Sequence, residues 1–296
     1  MGYKNIVNTP LSHQIAGHPY IDTRASFNSF IPIQINEKLS DSIVEIYLSN
    51  LKENAHFHDK VEFNITLNTW SFDWKKRSRN ILQNKIRKED LKSLENAFKG
   101  HFESLIISHV DFFNSQDLSI NILQKRRGVI ESDSKKKLSL HNIPWVIKSL
   151  LDDCRDMGAL PFSNLARCAF ISTLCIDSLE SISIISKEEK EIIKSIPTVA
   201  TEMSSDINKV ASKEISLKVF LKKYGHLRPG TYDICQDRYD QSPDYYFSNI
   251  DSYKDQHNVN DINRVKSIFM KKSNEIDKVL KSEGFQFRSE QLISFI

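Results

Sequence analysis

The sequence predicts a mainly α-helical protein of the α+β class, with a small β element near its N-terminus. Apolar residues recur at helical spacing over most of the chain after about residue 79, whereas the patterns that favour strands all lie before about residue 75. The chain has 296 residues, enough for one large or two modest domains. We therefore expect a small α+β unit over 1–75 and a helical domain over 76–296, or one continuous domain.

Two segments in the first part of the chain have strand character. Residues 18–24 alternate after a turn at Ala16 and Gly17, and residues 61–67 alternate apolar with polar side chains. Residues 39–51, between them, have the period of an amphipathic helix. Ser40 or Asp41 is expected near the start of that helix.

From residue 79 to about residue 223 the chain is predicted to be helical, and a turn-rich aromatic segment over 235–247 precedes the last predicted helices. An amphipathic pattern over 81–98 is interrupted near Gly100, and another helix stops near Gly158. Ser163 is a candidate N-cap for the apolar helix that follows. Gly284 is a candidate cap near the C-terminus. The remaining predicted helices cover 206–223, 260–281 and 285–296.

Composition excludes several classes of function. A formal net charge of +3 is too small to indicate nucleic-acid or membrane binding, and no uninterrupted apolar run reaches the length of a membrane span. No glycine-rich phosphate-binding motif is present. The four cysteines have no metal-ligand or disulfide spacing. These features favour a cytoplasmic protein with reduced thiols and without a cofactor of its own.

Histidines and carboxylates near residue 60 are a possible metal site. His56, His58, Asp59 and Glu62 lie close together in sequence, but in an extended segment neighbouring side chains point to opposite faces. A polar cluster that anchors the segment is favoured, and no metal site is predicted.

Polar residues on the segment after Gly17 form a second candidate set. Asp22, Arg24 and Asn28 are even-numbered, so in an extended strand they would share one face. They are predicted to form either a satisfied ion pair or part of a cleft.

Arg167 is the lone charge in a run of apolar residues over 165–176. A buried arginine needs a partner, so we expect Arg167 either to pair with a structural carboxylate or to face a ligand.

The richest stretch for chemistry is the loop YGHLRPGTYD over 224–233, which follows an amphipathic helix. Gly225 stands where a left-handed helix cap is expected, and the Pro-Gly pair at 229–230 predicts a turn. His226 can exchange a proton near neutral pH, and Arg228 offers a planar fork for phosphate or carboxylate. Asp233 is close enough to orient the imidazole if the turn folds the loop back. A rigid surface turn without function is the alternative.

Several blocks of the sequence occur in the same order as in one known group of enzymes. The loop, extended as FLKKYGHLRPGTYDI over 220–234 and on through 238–247, resembles proteins of the phosphoenolpyruvate synthase and pyruvate phosphate dikinase type. The other four blocks are GYKN (2–5), GHPYIDTRASFNSFIP (17–32), HDKVEF (58–63) and LPFSNLARCAF (160–170).

The resemblance covers the middle, acceptor-side region of such phosphotransferases. It implies catalytic roles for His226, Arg228 and Asp233. It also implies a substrate-binding set, which consists of Asp22, Arg24, Asn28, His58, Arg167, Tyr232 and Arg238.

The resemblance also implies partners. The ATP-grasp domain and the swivelling phosphohistidine domain, with their ATP and Mg²⁺, would belong to separate chains or have been lost. Neither Ser-His pair, at His13 or at His109, begins a helix, so neither predicts a carrier histidine. We expect a chain that binds a small-molecule acceptor or docks these domains and phosphorylates nothing alone. The alternative is a degenerate or structural partner protein without a ligand.

Overall fold

A computed structural model describes residues 1–5, 9–134, 139–195, 199–229, 235–248 and 262–296. The protein is mainly α-helical and has a small β element near its N-terminus, as the sequence predicts. The chain divides into two compact units. The first consists of Met1–Ser186 and Lys271–Ile296, and the second of Lys187–Met270. The boundary expected near residue 75 therefore falls inside the first unit.

The β element is a hairpin of two short strands. β1 (Ser12–Ile15) pairs antiparallel with β2 (His18–Ile21), with Ser12 opposite Ile21 and Ile15 opposite His18. The turn residues Ala16 and Gly17 have φ angles of 51° and 83°, the left-handed backbone that a two-residue hairpin turn requires. The predicted strand after Gly17 is confirmed to Ile21, and the chain then turns into a helix.

Two helices follow the hairpin. α1 (Thr23–Asn28) begins at Asp22, whose Oδ1 accepts a hydrogen bond from the Ala25 amide at 2.9 Å. α2 (Glu37–Glu53) confirms the helix predicted over 39–51. It begins earlier than predicted, because the Asn36 side chain caps it by accepting from the Leu39 amide at 2.9 Å.

The strand predicted over 61–67 is wrong. α3 (Val61–Asn64) is one helical turn, and 65–71 form a fully buried segment without regular structure. Side chains satisfy polar groups of this backbone. The Tyr47 hydroxyl accepts from the Leu67 amide at 3.0 Å, and Arg77 Nη2 donates to the carbonyls of Glu62 and Thr66 at 2.9 and 3.1 Å. The alternating side chains therefore belong in part to the buried segment 65–71, which is called the strap below.

The next helix pair breaks earlier than predicted. α4 (Trp74–Leu82) ends at Gln83 and Asn84, whose φ angles of 50° and 56° cannot continue a helix. α5 (Lys88–Ser134) then runs through Gly100 without interruption. A Cβ at Gly100 would meet nothing within 4 Å, so this glycine is simply tolerated in the helix.

The helix stop predicted at Gly158 and the cap predicted at Ser163 are also wrong. α6 (Ile143–Cys154) continues through a π-helical turn (Arg155–Ala159) into α7 (Leu160–Ser181). A Cβ at Gly158 would lie 3.1 Å from Leu123 Cδ2 of α5, so the glycine permits close packing. The Ser163 hydroxyl donates to the Ala159 carbonyl at 2.8 Å from within the helix.

The continuous helix Ile143–Ser181 is long and apolar enough to cross a membrane by length and composition alone. Core helices of soluble proteins pass the same test, so a single helix of this kind does not identify a membrane protein. Large apolar side chains on it are exposed, among them Trp145, Leu151 and Phe162.

The core of the first unit is aromatic and is closed by the C-terminal segment. Trp70 packs against Phe102 and Phe285 with ring centroids 5.6 and 4.7 Å apart. α13 (Ser289–Phe295) then lies along α5. Gly284, with a φ angle of 86°, ends the preceding helix as predicted.

The second unit is built from shorter helices. They are α8 (Lys187–Lys194), α9 (Val199–Ala211), α10 (Leu217–Tyr224), α11 (Pro243–Phe247) and the first part of α12 (Ile262–Ser282). Val210, Phe220 and Tyr224 are buried together between α9 and α10. Phe247 of α11 packs against Phe220 at 5.4 Å between ring centroids.

Candidate functional site

The predicted catalytic loop begins where α10 is fixed to α9. The Tyr224 hydroxyl donates to Asp206 Oδ2 at 2.9 Å, and Lys223 Nζ lies 3.1 Å from the same oxygen. Lys223 also pairs with Glu202 at 2.5 Å. These contacts fix the position of the last turn of α10 and therefore of the start of the loop.

Asp206 is at the centre of these contacts. Its Oδ1 pairs with Lys209 Nζ at 2.8 Å, and its side chain is only 13% exposed. The hydrogen bond from Lys209, supported by those from Tyr224 and Lys223, lowers the pKa of Asp206 to about 2. The carboxylate is therefore charged at neutral pH and links three residues of two helices.

The loop returns beside its own beginning. The Asp240 amide donates to the Gly225 carbonyl and the Tyr239 amide to the Leu227 carbonyl, each at 3.0 Å. Arg228 Nε donates to the Gln236 carbonyl at 2.8 Å. Segments 225–228 and 236–240 are thus tied side by side.

Gly225 has a different role from the one predicted. Its φ angle of −58° is right-handed, so the expected left-handed cap is wrong. A Cβ built there would lie 2.8 Å from Cβ of Asp240 and would clash with the Leu221 carbonyl oxygen. The glycine is needed because the returning segment passes too close for a side chain.

The loop presents His226 and Arg228 differently. His226 is exposed, while Arg228 is half-buried against the returning segment. Arg238 lies on that segment and makes two parallel contacts with Asp240, at 2.9 and 3.0 Å. Asp233 and Tyr232 lie outside the described residues, so their predicted roles stay predictions.

The predicted polar set after Gly17 does not share a strand face, because its members lie on and beside α1. Asp22 is the N-cap of that helix. Arg24 pairs with Glu45 of α2 at 2.6 Å, and Asn28 Nδ2 donates to the Arg24 carbonyl at 3.0 Å. These contacts belong to helix capping and helix pairing.

His58 lies apart from this set. It is exposed, and its Nδ1 lies 3.1 Å from the Ala55 carbonyl. Within the described part of the chain, no group of three or more histidine, cysteine, aspartate or glutamate side chains is arranged to hold a metal ion.

Arg167 belongs to α7, and its side chain contacts Ser29 at the C-terminal end of α1, within the first unit. Its Nη1 donates to the Ser29 carbonyl, and its Nη2 donates to Ser29 Oγ at 3.1 Å. The guanidinium lies 4.7 Å from the ring centroids of both Tyr3 and Phe30. Burial lowers the pKa of Arg167. A backbone carbonyl, a hydroxyl and two aromatic rings therefore take the place of the expected carboxylate.

Sequence analysis missed a buried polar centre next to Arg167. The Tyr3 hydroxyl donates to the Asn68 carbonyl at 2.6 Å, and the Tyr3 ring lies 4.2 Å from the ring of His101. His101 is 4% exposed, and its Nε2 donates to the Met1 carbonyl. Burial lowers the pKa of His101 to about 4. The available signal was a histidine on the apolar face of α5, one position before Phe102.

Several side-chain atoms near this centre have no hydrogen-bond partner among the residues that are described. They include His101 Nδ1, both amide atoms of Asn68, Thr69 Oγ1 and Trp70 Nε1. Three of these residues are consecutive in the buried strap over 65–71. Buried polar atoms of this kind are commonly satisfied by internal water.

A scan against protein-family models and searches of curated proteins and of solved structures return no match to this chain.

Proposed function

We propose that this chain is the acceptor-binding or docking component of a phosphotransferase similar to phosphoenolpyruvate synthase and pyruvate phosphate dikinase. The ATP-grasp domain and the phosphohistidine domain would be supplied by other chains, and they would bind ATP and Mg²⁺. The chain would act in the cytoplasm. The observation that carries the proposal is the loop after α10, which holds His226 and Arg228 on a paired, anchored backbone.

Anchoring of the loop supports this proposal. Groups that bind or position a reacting phosphoryl group gain from being fixed before the substrate arrives. The Asp206 network fixes one end of the loop, and the backbone pairing of 225–227 with 239–240 fixes the other.

In this proposal His226 receives a proton from the attacking group of the acceptor or holds that group by a hydrogen bond. Its exposure allows both roles. Arg228 uses its Nε to hold the Gln236 carbonyl, and in this proposal its terminal nitrogens donate to phosphoryl oxygens. Asp233 would orient the imidazole.

The remaining residues of the proposed site differ in how they could contribute. Arg238 would have to leave Asp240, and Arg24 would have to leave Glu45, before either could bind an anion directly. Asp22, Asn28, His58, Arg167 and Tyr232 complete the proposed substrate-binding set.

A structural partner protein without a ligand is the second candidate. Internal partners favour it, because Arg24, Arg167 and Arg238 all make contacts within the chain. In that case the loop would be a rigid turn, and its charged residues would serve only the fold.

Titration with inorganic phosphate separates the two candidates. We expect saturable binding that Arg228→Ala weakens about tenfold, the effect of losing one charged contact worth about 1.4 kcal/mol. Arg155→Ala is the matched control, since it removes the same charge from an exposed pair with Asp156 that lies outside the proposed site. Absence of saturable binding, or equal affinities in both variants and the wild type, would favour the structural candidate.

A further inference from the structure

We propose that a second site, between α4 and the start of α5, binds a small molecule with an apolar body and a phosphate group. It is a cavity of about 340 Å³ in the first unit. Small-molecule sites are concave, largely apolar and equipped with a few convergent polar groups, and they begin at about this size. The site is independent of the loop after α10, which belongs to the second unit.

The cavity has an apolar floor. Trp74 is part of this apolar lining and packs against Phe98, with ring centroids 5.3 Å apart. Leu82, Ile86 and Leu91 complete the apolar lining. Trp74 is itself only 3% exposed, so its indole contributes a rigid apolar boundary to the cavity rather than an open face.

One wall carries a buried hydroxyl. Ser78 lines the cavity and is only 2% exposed. Its hydroxyl can donate and accept a hydrogen bond at the cavity wall. A polar atom of a bound molecule would form that bond.

The rim is cationic. Lys75, Arg79 and Lys88 line the opening, and none of them forms an ion pair with a described residue. The one carboxylate in the lining, Glu95, faces Lys99 Nζ at 3.6 Å. The charges at the rim therefore favour an anion, and the planar fork of Arg79 suits a phosphate group.

The connection between the helices shapes the cavity. Gln83 and Asn84 are consecutive non-glycine residues in the left-handed region, and Asn84 lines the cavity. Asn50 of α2 holds the connection by accepting from Gln83 Nε2 at 2.9 Å and donating to the Ile81 carbonyl at 2.8 Å. Residues in such rarely occupied backbone conformations are often found at ligand sites, where contacts with the surrounding structure hold them in place.

The test uses 1-naphthyl phosphate as the probe and the indole N–H signals of the three tryptophans as reporters. Trp70 is buried in the aromatic core, Trp145 is exposed on α6, and only Trp74 lines the cavity. We expect the Trp74 signal, assigned with Trp74→Phe, to shift saturably while the other two stay in place. 1-Naphthol and inorganic phosphate, each carrying half of the recognition, should bind at least about tenfold more weakly.

Charge-matched variants decide whether the rim binds the phosphate. Lys75→Gln and Arg79→Gln should each weaken binding about three- to tenfold, within the range of a partly exposed charged hydrogen bond. Lys76→Gln removes the same charge from the same helix but outside the cavity, and it should leave the affinity unchanged. Arg228→Ala, in the other unit, should also leave it unchanged.

Three results would overturn the proposal. They are an unshifted Trp74 signal at millimolar probe, shifts of equal size at all three tryptophans, and equal weakening by Lys76→Gln and Lys75→Gln. The phosphate titration of the loop is a separate measurement, so the two proposals fail separately.

Discussion

Neutral partners surround two buried ionisable residues of the first unit, Arg167 and His101. Arg167 donates to a backbone carbonyl and a hydroxyl, and it lies between two aromatic rings. His101 donates to a backbone carbonyl, and its ring lies against the ring of Tyr3 at a tilt of 46°. Such contacts fix the position of a side chain without an ion pair, so the contribution of both residues should be measurable as a change in stability.

Loss of the Arg167 side chain should destabilise the first unit. Charged hydrogen bonds and cation–π contacts of this kind together contribute about 2–4 kcal/mol, so we expect Arg167→Ala to lower the free energy of unfolding by that amount. The carboxylate partner expected from the sequence would have implied about 3–5 kcal/mol, because truncation would strand a charge. Urea unfolding measures the difference.

The control for Arg167 is Arg24→Ala. Arg24 and Glu45 form an exposed ion pair, which is typically worth less than about 1 kcal/mol. If Arg167→Ala is no more destabilising than Arg24→Ala but abolishes ligand binding, Arg167 is a site residue, and its internal contacts are incidental.

His101 should make stability fall as the pH is lowered. Its folded pKa of about 4 lies below the ordinary value of 6.5, so the unfolded chain binds more protons between these pH values. The contribution is fully present above pH 6.5 and is lost progressively as the pH falls towards 4. Protonation would place a hydrogen on Nδ1, which has no acceptor among the described residues.

Comparison of wild type with His101→Gln isolates this contribution. From pH 7 to pH 5 the wild type should lose about 2 kcal/mol more than the variant, a figure that follows from the two pKa values. Urea unfolding at the two pH values measures it. If the free energy of unfolding changes equally with pH in the two proteins, folding does not lower the pKa of His101.

At the scale of elements, two glycines differ in how much space a side chain would find at their positions. Gly225 is crowded by Asp240, whereas Gly100 on α5 faces open space. Overpacking typically costs about 1–3 kcal/mol, and relief of backbone entropy in a helix gains about 0.5–1 kcal/mol. We therefore expect Gly225→Ala to destabilise the second unit and Gly100→Ala to stabilise the first.

Hydrogen exchange at the amides of Tyr239 and Asp240 provides the measurement for Gly225→Ala. These two amides donate to the loop, so their protection should fall in the variant and not in Gly100→Ala. Unchanged protection would mean that the returning segment does not constrain Gly225.

The elements show which parts of the fold could be predicted. Helical periodicity located α2, because it has one buried face and one exposed face. The single helix predicted over 206–223 is wrong, because the chain breaks between α9 and α10, where Lys213 has a φ angle of 64° and Ser216 caps α10. Residues 61–67 misled the same procedure, since their backbone is satisfied by Tyr47 and Arg77 and no strand lies beside it. Gly158 and Ser163 misled it because close packing and a bond within the helix use the same residue types as a stop and a cap.

For the candidate site, the residue types of the loop were predictable, but their setting was not. Asp206 and Asp240, which hold the loop, lie 18 residues before Tyr224 and 15 residues after Gly225. The sequence gives no local sign of either contact. The cavity beside Trp74 is invisible for the same reason, since its lining combines two helices and a left-handed connection.

At the scale of the whole molecule, we expect that the chain by itself does not become phosphorylated by ATP. A carrier histidine is expected to require a helix N-terminus, yet His109 lies in the middle of α5 and His13 in β1. The isolated protein incubated with radiolabelled ATP should therefore stay unlabelled. Acid-labile label that disappears in His13→Ala or His109→Ala would contradict this.

The most direct test of the account is phosphoryl transfer in an assembled system. An ATP-grasp domain and a phosphohistidine domain of the phosphoenolpyruvate synthase type are supplied as fusions or separate chains, with a small-molecule cell extract as the source of acceptor. Loss of label from the phosphohistidine is then followed over time. With the wild-type chain we expect transfer, and with His226→Ala a rate lower by about 10²-fold or more, the usual contribution of general-base catalysis. Arg228→Ala should also slow transfer, while phosphorylation of the histidine by ATP persists in every case. If both variants fold normally and transfer at the wild-type rate, the loop after α10 is a structural turn and the proposed function is wrong.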